Sequence, residues 1–370
     1  MDDALLQARE EMHALAGRRS APIQVMEVCG THTVSIFRNG IRTMLPANVG
    51  LISGPGCPVC VTAQRHIDAA IRLAQIEDVI LTTYGDMLRV PGRLGSLEQQ
   101  RAGGADVRVV YSARGALSLA AENPAKTVVF VAIGFETTAP ATAAVLVEAQ
   151  QRGLENFCIL AAHKRVVPAM TALLSAGEVA LDGFLCPGHV SVIIGADAFR
   201  PVVERFHKPC VVAGFEPKQI LLGMLHLVRQ IVSGRCELEN VYGVAVTREG
   251  NRVAQLLIEQ VFEPADAPWR AIGEIPASGL ELRPAYRRFD ALRRFRIELG
   301  PDEDHPACRC GEVIQGKAAP DECPLFGHRC NPLSPIGPCM VSSEGTCAAW
   351  YKYNRVSSVT VGDGRGGAEA

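Results

Sequence analysis

Between residue 23 and about residue 245, short apolar runs alternate with longer amphipathic stretches. The runs are 23–28, 49–53, 78–82, 106–111, 127–133, 157–162, 182–186 and 210–213. They are rich in Val and Ile and bounded by Gly, Pro or polar residues, as are parallel strands buried on both faces. Between them, 62–75, 114–122, 138–152 and 217–233 carry apolar residues at helical spacing. This alternation predicts βα units around parallel sheets. The expected fold is α/β: two doubly wound parallel-sheet domains facing a cleft, residues 20–105 and 106–232, joined through the loop-like stretch 91–105. A helix is predicted over 4–15 and another over 251–262. Residues 233–347 are expected to form a C-terminal domain with the N-terminal segment 1–19 packed on it, and 348–370 a tail whose last ten residues fray.

Composition narrows the class. The chain has 370 residues, 48% hydrophobic and 21% charged, which suffices for a sizeable core and excludes a disordered chain. A formal net charge of -2 and 5% aromatics argue against a nucleic-acid surface. No apolar run approaches the roughly 18 residues needed to cross a bilayer. The acidic start Met1-Asp2-Asp3 lacks the order of a signal peptide, so a cytoplasmic protein is expected.

The polar, glycine-rich strings come directly after the predicted strands. They are Cys29-Gly-Thr-His-Thr33, Gly54-Pro-Gly-Cys-Pro-Val-Cys60, Thr83-Tyr-Gly-Asp86, Gly134-Phe-Glu-Thr-Thr-Ala-Pro140, His163-Lys-Arg165, Pro187-Gly-His-Val-Ser191 and Gly214-Phe-Glu-Pro217. Ligands of parallel sheets bind outside the carboxyl ends of the strands. One sheet edge, or the cleft between two, should therefore collect Cys29, His32, Cys57, Cys60, Asp86, Glu136, His163 and His189. Cys57 and Cys60 have C-x-x-C spacing ahead of a predicted helix, whose N-terminus stabilises a thiolate. Such a pair forms a disulfide, passes electrons or binds a soft metal. Cys29 with His32 suits iron, zinc or copper, although a buried, hydrogen-bonded histidine is an equal reading of His32. Glu136 is either part of a helix cap or a cleft carboxylate. No P-loop, dinucleotide fingerprint or nucleophile elbow is present.

Thirteen cysteines in such a chain are poor evidence for a disulfide framework. Cys308, Cys310, Cys323, Cys330, Cys339 and Cys347 cluster in a region dense in Gly and Pro with little periodicity, where a metal centre would supply the order that a core does not. Cys308, Cys323, Cys330 and Cys347, with 14, 6 and 16 residues between them, offer the four thiolates of a [4Fe–4S] cluster, with Cys310 or Cys339 as substitutes. A structural zinc is the competing reading.

Together the strings CGTHT (29–33), GPGCPVC (54–60), TYGD (83–86), GFETTAP (134–140), PGHVS (187–191), GFEP (214–217), CRCGEV (308–313), CPLFG (323–327) and MVSSEGTCAAWYKY (340–353) resemble the HypD family of hydrogenase maturation factors. The resemblance spans residues 25–355. It implies a scaffold with a redox role rather than a conventional turnover enzyme. Such a scaffold works with HypC to hold one Fe(II) as cargo, and it receives cyanide from HypE, and CO, to build the Fe(CN)₂CO unit of [NiFe]-hydrogenases. It further implies Cys29 as iron ligand, His32 either as a direct ligand or as a residue supporting one, Cys57 and Cys60 as a redox pair, a [4Fe–4S] cluster in the C-terminal domain, and Asp86, Glu136 and His189 placing ligands or moving protons. The alternatives are a cluster-dependent thiol–disulfide oxidoreductase and a zinc-stabilised binding module.

Overall fold

A computed structural model describes residues 3–354. Eight strands form where the apolar runs predict them: β1 (Ile23–Glu27), β2 (Val49–Ser53), β3 (Val79–Thr83), β4 (Val107–Val109), β5 (Thr127–Gly134), β6 (Phe157–His163), β7 (Gly183–Pro187) and β8 (Cys210–Ala213). Further along the chain come β9 (Leu238–Asn240), β10 (Phe262–Trp269) and β11 (Gly273–Leu282). One parallel sheet runs β2-β1-β7-β8-β9 and a second β4-β3-β5-β6, with β10 and β11 as a separate antiparallel ribbon.

The two sheets do not divide near residue 105. Strand β1 hydrogen-bonds β2 on one side and β7 on the other, so the first sheet joins residues 23–53 to residues 183–240, and the second is inserted between them. Runs buried on both faces look alike in sequence, and nothing in them names a partner. The expected C-terminal domain is also split. Strand β9 completes the first sheet, while Val261, Phe262, Leu282 and Phe289 share a core with Phe130, Leu146 and Phe157 of the second.

The N-terminal helix Asp3–Ala16 packs on the first sheet's layer, not on the C-terminal segment. Met12 and Ala16 are buried with Ile220 and Met224 of helix Pro217–Ser233, and Glu11 pairs with Arg229 at 2.7 Å. Residues 348–353 belong to helix Thr346–Tyr353 rather than a tail. That helix lies on helix Gly30–Arg38, with Phe37 and Trp350 rings 5.5 Å apart and the Arg42 guanidinium over both. The frayed end expected at 361–370 falls outside the described residues. Among the described residues no helix is long and apolar enough to cross a membrane.

Candidate functional site

Backbone approach builds the site before any side chain does. Strand β1 ends at Glu27, and Cys29 caps the helix Gly30–Arg38. After β2, the Gly54-Pro-Gly56 turn folds onto it. Gly54 N–H donates to Glu27 O at 2.7 Å and Gly30 N–H to Gly56 O at 3.1 Å. A Cβ on Gly56 would stand 2.2 Å from the Cys29 nitrogen, so only glycine permits this contact. The turn delivers Cys57 as the cap of the short helix Pro58–Val61, and Cys57 and Cys60 are joined as a disulfide. The longer helix expected from residue 62 starts at Gln64 instead, because Thr62 bridges to Trp269 and interrupts it.

Ends of both sheets then enclose a cavity of about 410 Å³ lined by Cys29, Thr31, Gly56 and Pro58 from β1 and β2, Pro187 and His189 from β7, Phe135 and Thr138 from β5, and Glu344 from the C-terminal segment. Cys29 is 8% exposed. Burial pushes its thiol up to about 12, against the pull of the helix amides of His32 and Thr31. The dithiol is more deeply placed, Cys57 at 5% and Cys60 at 0% exposure. Cys60 Sγ points to the carbonyl of Pro338, next to Cys339.

The remaining expected residues are distributed less simply. His189 lines the cavity and stacks on Phe215 at 3.9 Å. His32 lies behind it, also against Phe215, and donates from Nε2 to Gly214 O at 2.9 Å. Its Nδ1 is buried with no partner among the described residues, and burial lowers its pKa to about 4. Asp86 is outside the cavity lining. Its carboxylate accepts from Ser342 Oγ at 3.0 Å and Ser343 N at 3.1 Å, anchoring the turn that carries Glu344. His163 faces Phe262 and Thr142 on the other side of the second sheet. Glu136 accepts from Val166 N at 3.1 Å and so caps helix Val166–Ala176, a different helix from the one expected.

The Glu136 environment sets a pH dependence. Burial pushes its carboxyl up to about 7, while its own amide and that of Val166 oppose the rise. Between the unfolded value of 4.5 and about 7, the folded protein holds a proton that the unfolded chain has lost, so stability falls as pH rises through this window. Glu136→Gln removes that slope. Relative to the parent, the variant should gain on the order of 2–3 kcal/mol between pH 4.5 and pH 7.5, read by denaturant unfolding at each pH. A difference independent of pH would show that the carboxyl is ionised throughout.

Three functional positions are not among those the sequence pattern singles out. Glu344 lines the cavity, accepts from Thr31 Oγ1 at 2.7 Å and bears electrostatically on Cys29 and His189. Its signal is the acidic residue in the SSEGT string, overshadowed there by the cysteines on either side. Glu27 is fully buried and accepts from Cys29 N at 2.9 Å, holding the turn from below; a carboxylate inside an apolar run is the clue. Phe215 separates His32 from His189, and the repeated Gly-Phe-Glu string places Phe135 and Phe215 at comparable strand ends of the two sheets.

The C-terminal cysteines converge. The side chains of Cys308 and Cys310, of Cys310 and Cys339, and of Cys339 and Cys347 lie close enough to perturb one another's ionisation, and Cys330 is within electrostatic reach of Cys308 and Cys323. Gly337 keeps space beside them, since a Cβ there would stand 2.7 Å from Cys308 Sγ. Among the described residues no group of His, Cys, Asp or Glu is already spaced as a metal site. The donor chemistry nonetheless fits an iron–sulfur cluster: soft thiols, more than four of them, with a buried guanidinium nitrogen of Arg270 left unpaired beside them.

Two parallel sheets whose strand ends enclose a cavity with the Cys29 thiol on its wall, backed by a nest of further cysteines, define a cysteine-rich α/β protein. The family described as "HypD: Hydrogenase formation hypA family" matches residues 4–354. The chain is 47% identical over 351 residues to the hydrogenase maturation factor HypD of Escherichia coli K12, covering 95% of this chain and 94% of that one. It is 49% identical over 346 residues to HypD of Azotobacter vinelandii, 91% of each chain, and 46% identical over 342 residues to HypD of Cupriavidus necator, 90% of each. The chain belongs to the HypD family of hydrogenase maturation factors.

Proposed function

We propose that this chain, with a HypC partner, holds one iron ion as cargo at Cys29 and receives cyanide from HypE, and CO, to assemble the Fe(CN)₂CO unit of a [NiFe]-hydrogenase. The observation that carries the reading is the placement of Cys29 on a cavity between two sheet edges, within backbone contact of the loop bearing the Cys57–Cys60 pair. Among the described residues Cys29 is the single thiol on the wall. One thiol leaves the iron coordination incomplete, which is what a shared site requires. His189 and Thr138 offer polar atoms across the cavity, and Glu344 balances charge at its rim. Glu27 and Asp86 act by holding the Cys29 turn and the Glu344 turn in place.

Cys57 and Cys60 supply electrons. Release of cyanide from a carrier thiocyanate, R–S–CN + 2e⁻ → R–S⁻ + CN⁻, takes the two electrons that two thiols give up, with two protons, on forming one disulfide. Cys308, Cys323, Cys330 and Cys347, with Cys310 or Cys339 as substitutes, would hold a [4Fe–4S] cluster, which when bound provides single electrons for re-reducing that pair. Cys60 faces the peptide segment that carries Cys339, so the two thiol groups lie back to back.

The test is infrared spectroscopy of the chain copurified with HypC. The parent complex should show cyanide and CO stretching bands. Cys29→Ala should lose them and the extra iron while keeping its fold, because one small side chain on a turn contributes little packing. Undiminished cyanide bands in that variant would move the iron to Cys57 or Cys60.

A further inference from the structure

Arg270 links the two cysteine groups. It comes directly after β10, and its backbone N–H donates to Val61 O at 3.0 Å, one residue beyond Cys60, while its neighbour Trp269 bridges Thr62. The side chain runs the other way, 4% exposed, into a cavity of about 20 Å³ shared with Cys308, Cys310, Gly337 and Pro338. Nε donates to Asp304 Oδ1 at 2.6 Å. Nη1 is fully buried and has no hydrogen-bond partner among the described residues. A buried N–H left unmade is costly, so this atom marks a place where an acceptor belongs. The charge of Arg270 also bears on both Cys308 and Cys310.

We propose that the unpaired edge of the Arg270 guanidinium is a hydrogen-bond donor and fixed positive charge for an iron–sulfur group on the C-terminal cysteines, and that it sets the potential of that group, with Asp304 as its counterweight. The inference rests on the cluster reading above, and it holds whichever of Cys308 and Cys310 is the ligand. Arg270 is a positioning residue here, not a ligand. A cluster gains negative charge on reduction, and donors and positive charge at its sulfurs favour the reduced form. Arg270 therefore raises the potential. Asp304, which partly neutralises the guanidinium, lowers it.

The experiment is a potentiometric titration of the full chain, purified without oxygen, followed by visible absorption and electron paramagnetic resonance, with iron counted in every sample. Arg270→Met, at parent iron content, should shift the oxidised-to-reduced ratio at fixed poise at least tenfold toward oxidised, equivalent to about 59 mV for one electron. Arg270→Lys should fall between, keeping charge but losing the fork. Asp304→Asn should shift the ratio toward reduced. Opposite signs from the two members of one ion pair are not produced by a purely structural pair. Should Arg270→Met fail to fold, the lysine and Asp304→Asn variants still decide. Unchanged midpoints at full iron in the folded variants would overturn the role of Arg270 and leave the cluster reading intact. A parent chain that binds zinc and no iron would overturn both.

Discussion

A Cys330→Ala chain purified without oxygen should be pale. It should lack the absorption near 400 nm and retain little iron. The segment around Cys330 is held by turns and short-range contacts. Its sulfur accepts from Ile336 N at 3.3 Å and its amide donates to Leu325 O at 2.8 Å, within a stretch of turns rather than a helix or sheet. Losing the sulfur's hydrogen bond alone costs about 1 kcal/mol. If the proposed cluster orders the segment, losing one of its ligands should loosen the whole C-terminal region, because metal binding would there be coupled to folding. Cys308→Ala, Cys323→Ala and Cys347→Ala should behave alike. Cys339→Ala should keep its iron, although Cys339 is buried between Cys310 and Cys347. Protease susceptibility of residues 300–350 and iron content together check the prediction. Full iron in the Cys330 variant would assign the cluster to the Cys308, Cys310, Cys339 and Cys347 series instead.

Gly56→Ala should be as damaging without touching a sulfur. The added Cβ would meet the Cys29 nitrogen at 2.2 Å, its Cα at 2.4 Å and the Val28 carbonyl carbon at 2.4 Å, all backbone that no rotamer can move. Overpacking of this kind costs about 1–3 kcal/mol or more. The relief available is separation of the Gly54–Cys57 turn from the Cys29 turn, which parts the Cys29 thiol from the Cys57–Cys60 pair. Gly243→Ala, where a Cβ meets nothing within 4 Å, is the matched control. Thermal unfolding should show the Gly56 variant clearly destabilised and the control unchanged. In complex with HypC the Gly56 variant should lose the cyanide bands even at temperatures where it is folded. Retention of both stability and bands would mean the two turns are free to move apart.

The strands were legible because a parallel strand buried on both faces is written as an unbroken apolar run, and each of the eight runs became one. Their pairing was not, because β1 and β7 carry no mark of each other. The β10–β11 ribbon was missed for a local reason. Pro264 and Pro268 argue against a strand, yet a two-stranded ribbon has free edges where a missing N–H is harmless. At the site, sequence logic brought Cys29, Cys57, Cys60 and His189 to one place, since strand ends of a parallel sheet share an edge. It also carried Asp86, Glu136 and His163 there, and these lie at or just past strand ends yet turn to bind backbone or hydroxyl groups elsewhere. The residues at a strand's end can be read from the chain; the direction a side chain then takes depends on loops packed against it from far along the chain.

The insertion of the second sheet into the first also dictates when the site can exist during synthesis. As the nascent chain leaves the ribosome, β1 and β2 emerge early but can pair only with each other until β7 arrives. At about 5–20 residues per second that delay is on the order of ten seconds. The second sheet, contiguous in sequence, can complete within it. The Cys29 and Cys57 turns thus stay on an unfinished two-stranded fragment while translation continues, and the Glu344 wall arrives last of all. Closure of β1 on β7, a contact between residues far apart in the chain, completes the sheet beneath the two turns before that wall is made.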